Sequence, residues 1–428
     1  MTNKIKQIVL LLGDVFILHL ALFFALYSRY GFDYANFHLE KHWYSFIFIF
    51  LIWILVFYIF NLYNLQFAAD RARFSRIALS AILLSSLLTV AFFYINPFTD
   101  LTPKTNLALF ISIFTILFVG WRKIFNHALK TYLPKNNLML IAKERRVNKL
   151  VEFLSNKPQL GFKAAIVINE LLSKEELEEV IRKKNIKTIV VDAALENVQE
   201  WRYRLFHCLH FNLNITDLAT FYEKSTGKVS LETITHTWFL DNFNEGDKKY
   251  FNRLKRAIDL TFAIILFVLS LPVWSVVIFI LSSAKGPVFF IQKRVGKNYR
   301  EFNIIKFRTM KDHQITKIGR WLRKTRIDEI PQLVNIIRND MSFIGPRPEQ
   351  PHLVTQLKKQ IPFYQERLLV KPGLSGWDQI SETYHSSSYL DSFEKLQYDL
   401  FYIKNRSLYL DFSICLKTIS TVLNHKGR

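Results

Sequence analysis

Cysteine is scarce in this sequence, which contains only Cys208 and Cys415 among its 428 residues. Two cysteines without a pairing pattern provide neither a disulfide framework nor the four ligands of a structural zinc site. Domains that depend on disulfide bonds or on a structural zinc ion are therefore excluded. The length of the chain allows two or three ordinary domains.

Acidic residues are also in short supply, with 35 Asp and Glu against 57 Lys and Arg, and the net charge is +22. The excess is uneven, because 8 Lys and Arg face 5 Asp and Glu up to Val119, which leaves +19 for the remainder. Such a surplus suits nucleic acid, anionic lipid headgroups or phosphorylated substrates. We expect a partner of this kind for the part of the chain after Val119.

Long apolar segments are plentiful, and four of them lie in residues 1–128, where we predict a four-helix transmembrane domain. They are Ile8–Tyr27, Trp43–Leu62, Ile77–Ile95 and Leu107–Trp121. Most approach the ~20 residues that a helix needs to cross a bilayer. The first is too long for a cleavable signal, so we expect it to remain. Asp14 within it indicates either a transport path or a helix-packing or near-interface residue, and we favour the latter.

Positive residues are distributed unevenly between the loops of this domain. One group lies between the second and third segments and another follows the fourth: Arg71, Arg73, Arg76, Arg122, Lys123 and Lys130. The opposite loops contain only Lys41 and Lys104. The positive-inside rule therefore places the N-terminus and everything after Trp121 in the cytoplasm.

Short β-rich stretches alternate with amphipathic helices from Asn137 onwards. The predicted strands are Asn137–Ala142, Ala164–Asn169, Thr188–Asp192 and Leu213–Leu218, and the predicted helices are Arg145–Leu154, Lys174–Lys184 and Val198–Leu209. This alternation predicts a parallel α/β domain of Rossmann or flavodoxin type over residues 137–235. A dinucleotide site needs a glycine-rich turn after the first strand, and residues 141–146 contain no glycine. We therefore predict a degenerate domain with a structural or regulatory role.

An apolar run from Leu260 to Leu281 opens a third unit, which we place at residues 250–428. Cations flank both of its ends, at Arg253, Lys255 and Arg256 and at Lys285, Lys293 and Arg294. A crossing would export one basic flank, against the positive-inside rule. Pro272 lies near the middle and favours a kink. We predict a broken, re-entrant helix over about residues 254–283, with a plain fifth span as the alternative.

Two β-rich runs around the turn Gly296–Tyr299 predict a hairpin. In the second run Lys306 and Arg308 alternate with Phe307, which places both cations on one face of the strand. Two converging cations suit a pyrophosphate group. The alternative is an ordinary solvated strand face.

The adjacent carboxylates Asp328 and Glu329 are the central candidates for chemistry. They follow a run of cations, Arg320, Arg323, Lys324 and Arg326, and precede Pro331, a residue favoured at the first position of a helix. We expect both carboxylates at the positive end of that helix, where they stay ionised and phosphates are attracted. An ionised Asp among cations can attack phosphorus, and a neighbouring Glu can hold a metal ion. An ordinary acidic helix start is the alternative.

Arg347 lies between two prolines in Gly345-Pro346-Arg347-Pro348. The prolines hold its backbone extended, and Gly345 allows close approach of a ligand. A guanidinium fixed in this way suits bidentate phosphate binding. A rigid structural turn is the alternative.

From Lys255 to the C-terminus, an ordered set of motifs resembles the bacterial sugar transferases, also called monotopic phosphoglycosyl transferases or polyprenyl glycosylphosphotransferases. The motifs are Lys255-Arg256-x-x-Asp259, Gly286-Pro-Val-Phe-Phe, Gln292-Lys-Arg-Val-Gly296, Lys306-Phe-Arg-Thr-Met310, Asp328-Glu-Ile-Pro-Gln332, Gly345-Pro-Arg-Pro348, Lys371-Pro-Gly-Leu-Ser-Gly-Trp377 and Tyr398-Asp-Leu-Phe-Tyr-Ile-Lys-Asn405. With the four apolar segments and the α/β domain, the chain resembles the long form of this family, which includes undecaprenyl-phosphate glucose and galactose phosphotransferases. The expected fold is thus a membrane α plus α/β protein with a C-terminal mixed α/β catalytic domain.

The resemblance implies transfer of a sugar-1-phosphate from a UDP-sugar, such as UDP-glucose or UDP-galactose, to undecaprenyl phosphate with release of UMP. This would be the first membrane step of exopolysaccharide, capsule or O-antigen synthesis. It implies Asp328 as the nucleophile of a covalent aspartyl-phosphosugar intermediate, Glu329 as a Mg²⁺ ligand and Arg347 as a contact of the substrate phosphate. We group Lys306, Arg308, Arg320 and Arg326 with Arg347 as phosphate-binding residues.

The resemblance also implies a re-entrant helix broken near a Ser-Pro step, a location in the bacterial inner membrane among its lipids, and a homodimer. The chain departs from the family pattern in three places. The Ser-Pro step reads Ser270-Leu271-Pro272, the segment between Met310 and Ile315 is short, and Asp378 stands where relatives usually have Ala.

Three other functions remain to be weighed. A nucleotide-sugar dehydratase would need a glycine-rich NAD turn and a Tyr-x-x-x-Lys pair, and the sequence contains neither. A non-catalytic scaffold for polysaccharide assembly would release no UMP. A nucleic-acid partner is not expected, because the cations cluster at phosphate-type motifs beside a membrane helix.

Overall fold

The computed structural model describes residues 3–64, 71–95, 104–131, 136–195, 198–243, 248–283, 286–312, 314–381 and 389–423. The chain forms two compact units, Met1–Val191 with Leu195–Thr216, and Asp192–Ala194 with Asp217–Arg428. Some of the cations used for the topology prediction are not described by the structure. Lys285 lies outside the described residues, and the side chains of five others are not described: Lys41, Arg71, Arg73, Lys104 and Lys130.

The first unit begins with three long helices, α1 (Asn3–Ile59), α2 (Arg71–Ile95) and α3 (Lys104–Thr131). Helix α1 is kinked at Gly31, where φ is 73° and ψ is 177°. Three segments are long and apolar enough to cross a membrane, Ile5–Gly31, Phe74–Ile95 and Thr105–Leu129. The second predicted span corresponds to a shorter apolar helix, Ser45–Ile59. It ends before the predicted Leu62 because the chain turns at Asn61, whose φ is 59°.

Aromatic side chains form the core of this helical part. Trp53, Phe57, Phe110, Phe114 and Phe118 are almost completely buried, and Trp53 packs edge-to-face on Phe114 with ring centroids 4.8 Å apart. The indole Nε1 of Trp53 also donates to Thr89 Oγ1 at 2.9 Å, which joins α1 to α2. The high Phe content of the sequence therefore supplies the helix-packing layer.

Asp14 is a packing residue, as the sequence indicated. Its Oδ2 lies 2.6 Å from Arg122 Nη2, and the two side chains are 0% and 6% exposed. Arg122 Nη1 also donates to the carbonyl of Leu62 at 3.0 Å. The pair thus joins the first helix, the end of the second apolar segment and α3.

We expect Asp14→Ala to destabilise the protein by about 3–5 kcal/mol, because it leaves the Arg122 charge buried without a partner. Thermal unfolding in detergent measures the loss. The double variant Asp14→Ala, Arg122→Met should recover most of it, since a well-packed apolar pair of similar volume replaces a buried ion pair. A single variant as stable as the wild type would contradict this assignment.

The sheet of the first unit contains β1 (Asn136–Ile141), β2 (Phe162–Ile168), β3 (Ile186–Val191) and β4 (Asn214–Asp217) in the order β2-β1-β3-β4. Strand β1 pairs in parallel with β2 and β3. The intervening helices are α4 (Glu144–Asn156), α5 (Lys174–Lys183) and α6 (Val198–His207). Each predicted strand and helix is present within about two residues of its predicted bounds, so the α/β domain is confirmed.

The main part of the second unit runs from Asp217 to Arg428 and so includes residues that precede the predicted third unit at 250–428. Helices α7 (Leu218–Thr226) and α8 (His236–Asn242) precede the motif-bearing part of the chain, and their region contributes Ala219, Val229 and Trp238 to a buried cluster with Leu396 and Leu400. Residues 217–235, which we assigned to the α/β domain, therefore pack with the second unit. The apolar side chains of this segment complete the core of the second unit, a long-range pairing that sequence composition does not reveal.

Helix α9 (Lys249–Ser282) is continuous, and Pro272 lies inside it. The predicted break in this helix at Ser270 and Pro272 is thus wrong, because the helix continues through both residues. Proline fixes φ near the helical value, so a helix can pass through it at the loss of one hydrogen bond. The Ser270 hydroxyl donates to the carbonyl of Phe267 at 2.9 Å and so stays within the helix.

Both ends of α9 pack on the same domain. Near its start, Arg256 donates to the carbonyls of Ile336 and Ile337 at 2.7 and 2.9 Å. Near its end, Val277 and Leu281 are buried with Phe307. Large apolar side chains occupy its exposed side, including Phe262, Leu269, Val276 and Phe279.

The remaining elements complete the second unit. The predicted hairpin is present as β5 (Phe289–Val295) paired antiparallel with β6 (Glu301–Phe307). Short strands β7 (Met310–Lys311) and β8 (Gln314–Ile315) are antiparallel, and β9 (Ser342–Ile344) and β10 (Gly373–Ser375) are parallel. The helices are α10 (Lys317–Lys324), α11 (Gln332–Ile337), α12 (Pro351–Gln360), α13 (Trp377–Ser381), α14 (Tyr389–Asn405) and α15 (Leu408–Leu423).

Candidate active site

Asp328 and Glu329 lie in a 3-10 turn, Ile327–Glu329, between α10 and α11. Arg326 precedes this turn with a left-handed φ of 59°, which reverses the chain after the basic helix. Helix α11 starts only at Gln332, with Pro331 directly before it. The two carboxylates are therefore placed by a tight turn and do not occupy the first turn of a longer helix, which corrects the sequence prediction.

Glu329 is the centre of a group of cations. Its Oε1 lies 2.7 Å from Lys306 Nζ and 3.4 Å from Arg347 Nη2, and its Oε2 lies 3.3 Å from Arg326 Nη1. The carboxylate is 11% exposed. Lys306 comes from β6 and Arg347 from the segment after β9, so three separate parts of the chain meet here. The site brings together three of the five predicted phosphate-binding residues.

The charges of these groups depend on one another. Burial alone would raise the pKa of the Glu329 carboxyl, but the cations of Arg347, Lys306 and Arg326 outweigh it and hold that pKa well below its usual range. In return, the negative charge of Glu329 raises the pKa of Arg347. Glu329 is therefore ionised over the whole physiological range, and Arg347 stays cationic.

Asp328 has a different environment from its neighbour. It is 7% exposed, and within the described ranges no group donates a hydrogen bond to its carboxylate. Burial raises its pKa to about 6, and the negative charge of Glu329 acts in the same direction. Lys306, Arg323 and Arg326 lower the pKa and limit the shift. Asp328 is thus mostly ionised at neutral pH but poorly solvated, which leaves its oxygens available for attack on an electrophile.

Two predicted phosphate-binding residues are not part of this group. Arg308 Nη2 lies 3.4 Å from the carbonyl of Leu281 at the end of α9, and its guanidinium fills the space beside Gly286, where a Cβ would collide with it. Arg320 is exposed on α10. The alternation that suggested a shared face for Lys306 and Arg308 fails because β6 ends at Phe307. Ser270 and Pro272 lie within α9, away from these contacts.

Arg323 is a site residue that the sequence placed only in a general run of cations. Its Nε donates to Thr309 Oγ1 at 2.9 Å, and its charge lowers the pKa of Asp328. Asn335 is another, since its amide donates to Asn303 O at 2.8 Å and accepts from Ile305 N at 3.1 Å. Asn335 thereby holds α11 against β6. No local sequence signal would have identified the Asn335 contacts.

The carboxylates of Asp328 and Glu329 could bind Mg²⁺ together with a substrate phosphate, but they do not form a complete metal site by themselves. Within the part of the chain that the structure describes, no three His, Cys, Asp or Glu side chains form a cage for a metal. Mg²⁺ is commonly bound by one or two carboxylates together with waters and substrate phosphates. The adjacent carboxylates of Asp328 and Glu329 fit that pattern, provided that a phosphate ligand shares the cations that now contact Glu329.

The chain is similar to known proteins over this region. A family described as "Bacterial sugar transferase" matches residues 250–425. A protein of Aeromonas hydrophila named "UDP-N-acetylgalactosamine-undecaprenyl-phosphate N-acetylgalactosaminephosphotransferase" is 35% identical over 269 residues, which are 58% of this chain and 63% of that protein. The chain therefore spans less than two thirds of the length of this relative.

Two further relatives cover different parts. A protein of Xanthomonas campestris pv. campestris named "UDP-glucose:undecaprenyl-phosphate glucose-1-phosphate transferase" is 27% identical over 340 residues, 71% of this chain and 70% of that protein. A protein of Bacillus subtilis (strain 168) named "Uncharacterized sugar transferase EpsL" is 36% identical over 191 residues, 41% of this chain and 89% of that protein.

Proposed function

Because the chain belongs to the bacterial sugar transferase family, we propose that it transfers a sugar-1-phosphate from a UDP-sugar to undecaprenyl phosphate. The observation that carries the proposal is Asp328, a buried carboxylate without a hydrogen-bond donor among the described residues, beside a cluster of cations on Glu329. An anionic nucleophile approaching an anionic diphosphate needs such neutralisation.

The reaction proceeds in two displacements at one phosphorus. A carboxylate oxygen of Asp328 attacks the phosphorus that bears the sugar, a new O–P bond forms, and the bond to the bridging oxygen breaks to release UMP. An oxygen of undecaprenyl phosphate then attacks the same phosphorus and restores the Asp328 carboxylate. The covalent step divides one difficult displacement into two easier ones.

Lys306, Arg326 and Arg347 bind the diphosphate in this scheme. All three contact Glu329, so this carboxylate acts as a counter-ion that holds the cations in one place for the phosphates. Arg347, whose side chain is 41% exposed, has the most access to a ligand of the three. When bound, Mg²⁺ would supply charge neutralisation to the phosphates, with Glu329 as its protein ligand.

The lipid substrate requires a site at the depth of the headgroups. Several apolar helices are long enough to span a bilayer, which indicates a membrane protein. We propose a bacterial inner-membrane location, with the N-terminus and the second unit in the cytoplasm and α9 as a re-entrant helix. Both ends of α9 pack on the domain that holds Asp328, which supports an arrangement in which the two ends remain on the same side of the membrane. The exposed apolar side of α9 would then face lipid.

Further details of the proposal follow the family. We propose that the enzyme acts as a homodimer in the first membrane step of exopolysaccharide, capsule or O-antigen synthesis. The α/β domain is proposed to be Rossmann-like without a bound dinucleotide, since no residue between β1 and α4 has the positive φ of a glycine turn. Its role would be support or regulation of the second unit.

The direct test is UMP release by purified protein with undecaprenyl phosphate, Mg²⁺ and a panel of UDP-sugars. UDP-glucose, UDP-galactose and UDP-N-acetylgalactosamine belong in the panel because they or their sugars appear in the names of the relatives. We expect one of them to be preferred by at least about tenfold, since polar hydroxyl or amide contacts discriminate strongly. No UMP release with any UDP-sugar would instead favour a non-catalytic scaffold.

A further inference from the structure

The backbone that carries Arg347 is joined to the segment that follows Pro372. Gly345 N donates to Ser375 O and Gly373 N donates to Pro346 O, both at 2.9 Å. The two segments lie so close that a Cβ on Gly373 would collide with the backbone of Gly345. Arg347 is therefore presented by a close backbone-to-backbone contact and not by a loose loop.

Arg367 binds the main chain of the segment that carries Arg347. Its Nη2 donates to the main-chain carbonyl of Arg347 at 2.9 Å, and its Nη1 donates to the Tyr364 hydroxyl at 2.7 Å. The same Nη2 lies 2.9 Å from Asp399 Oδ2, and the two side chains are 6% and 1% exposed. A buried guanidinium thus links the main chain of Arg347 to a buried acid.

Asp378 is a second buried acid in this region and has no place in the reaction described above. It is 4% exposed, and its Oδ1 is buried without a hydrogen-bond partner. Gly376 leaves the space that this oxygen occupies, since a Cβ there would collide with it. The negative charge of Asp378 raises the pKa of Arg347, after the larger effects of Glu329 and Glu349.

The two acids cannot both ionise at low cost. Burial raises the pKa of Asp399 to about 8, Arg367 opposes the shift, and the charge of Asp378 adds to it. Burial likewise raises the pKa of Asp378. The charged and titratable groups that face the pair are Arg347, Glu349, Tyr364, Arg367 and Lys395. Like charges in one buried site favour the retention of a proton by one member.

We propose that Arg367, backed by the buried acids Asp378 and Asp399, forms a positioning unit for Arg347, in which Arg367 fixes the Arg347 main chain through its hydrogen bond to the Arg347 carbonyl. The guanidinium of Arg347 then points at Glu329 and, on the basis of the proposed function, at the substrate diphosphate. Asp378 adjusts how strongly Arg347 is retained, because its charge competes with the phosphate for the same cation. None of the three touches the reacting atoms.

The electrostatic coupling of the two acids is tested without activity, by thermal unfolding of the purified full-length protein in detergent between pH 6 and pH 9. Below about pH 8 the acids bind more protons in the folded than in the unfolded state, so wild-type stability falls as pH rises to about 8 and then levels off. In Asp378→Asn, Asp399 loses the neighbouring negative charge and ionises at lower pH. The fall should move to lower pH by about one pH unit.

Glu301→Gln is the matched control, because this carboxylate is 50% exposed on β6 and forms an ion pair with the exposed Lys293 at 3.6 Å. It should leave the stability profile of the wild type unchanged. If Asp378→Asn shows the wild-type profile as well, the coupling of Asp378 to Asp399 is refuted. Asp378→Ala, whose side chain carries no charge, should shift the profile in the same direction as Asp378→Asn.

The positioning role is tested by kinetics on Arg367→Lys and Asp378→Asn. Arg367→Lys retains the charge but loses the planar fork that reaches the Arg347 carbonyl. We expect kcat to fall by about tenfold to a hundredfold with KM for the UDP-sugar changed less than about threefold, because a displaced Arg347 costs transition-state alignment. Unchanged kcat in both variants would refute the positioning role. Failure of the wild type to turn over any UDP-sugar refutes the proposed function instead and leaves the pH result standing.

Discussion

Asp328→Asn is expected to abolish turnover and to prevent covalent labelling of the protein by a UDP-sugar that carries radioactivity in the sugar. The amide is the same size as the carboxylate but lacks the anionic oxygen that would attack phosphorus. Loss of an attacking group commonly costs three or more orders of magnitude in kcat, so we expect a fall of at least about 1,000-fold. The folded state should persist, since none of the described residues donates a hydrogen bond to the carboxylate.

Labelling separates this prediction from a general loss of activity. Wild-type protein incubated with the labelled UDP-sugar and no lipid acceptor should retain the label through denaturation, and Asp328→Asn should retain none. Asp241→Asn, an exposed acid on α8 of the same unit, should be labelled like the wild type. Retained labelling in Asp328→Asn would show that another residue is the nucleophile.

The same residue determines the acid limb of the pH profile. Burial raises the pKa of Asp328 to about 6, and the ionised form attacks, so kcat/KM should rise with pH up to about 6 and then level off. Arg323 lowers the pKa of Asp328, so Arg323→Gln should move this limb to higher pH. A limb that stays in place in Arg323→Gln would mean that a different group controls it.

Glu329→Gln is expected to reduce turnover by about 100-fold or more, the scale on which loss of a preorganised electrostatic group acts. Three cations, Lys306, Arg326 and Arg347, lie within 3.4 Å of the carboxylate. A neutral amide removes the charge that holds them together, so they repel one another and lose their common orientation. It also removes the proposed protein ligand of Mg²⁺, so the Mg²⁺ concentration for half-maximal activity should rise.

Removing one of the three cations that contact Glu329 should have a smaller effect than removing the charge of Glu329 itself. Lys306→Met deletes the shortest of the three contacts, 2.7 Å, but leaves two cations on Glu329, so we expect a smaller loss than for Glu329→Gln. Steady-state kinetics over a Mg²⁺ titration measures both effects. If Glu329→Gln stays within about threefold of the wild type, the carboxylate does not organise the site.

Local pattern was sufficient for most of the secondary structure. The strands and helices between Asn136 and Asp217 and the β5–β6 hairpin were each predicted within a few residues. Such elements depend on side-chain periodicity and turn residues close in sequence. The continuous helix α9 was mispredicted because Pro272 lowers helix propensity locally, while packing of Trp274 and Val277 on the domain compensates.

Contacts between distant residues set the limits of the sequence prediction in the site. Arg308 was grouped with Lys306 by alternation, but the strand ends between them and the guanidinium turns to Leu281. Arg367 carried no motif that linked it to Arg347, although their hydrogen bond spans 20 positions in the chain. Backbone direction at a strand end and a long-range carbonyl contact are both invisible to short-range pattern.

By itself the sequence determined the kind of chemistry in this protein: adjacent carboxylates, a basic surplus after Val119, and apolar segments long enough to reach a membrane. These are properties of residue type and of spacing along the chain. Only the tertiary structure decided the different environments of the two carboxylates, Asp328 and Glu329. The turn after Arg326 places Glu329 among three cations, which keeps it ionised, and leaves Asp328 buried beside it with a raised pKa. A charge acts over a few ångströms of space, so its effect depends on how the chain folds and not on the order of its residues.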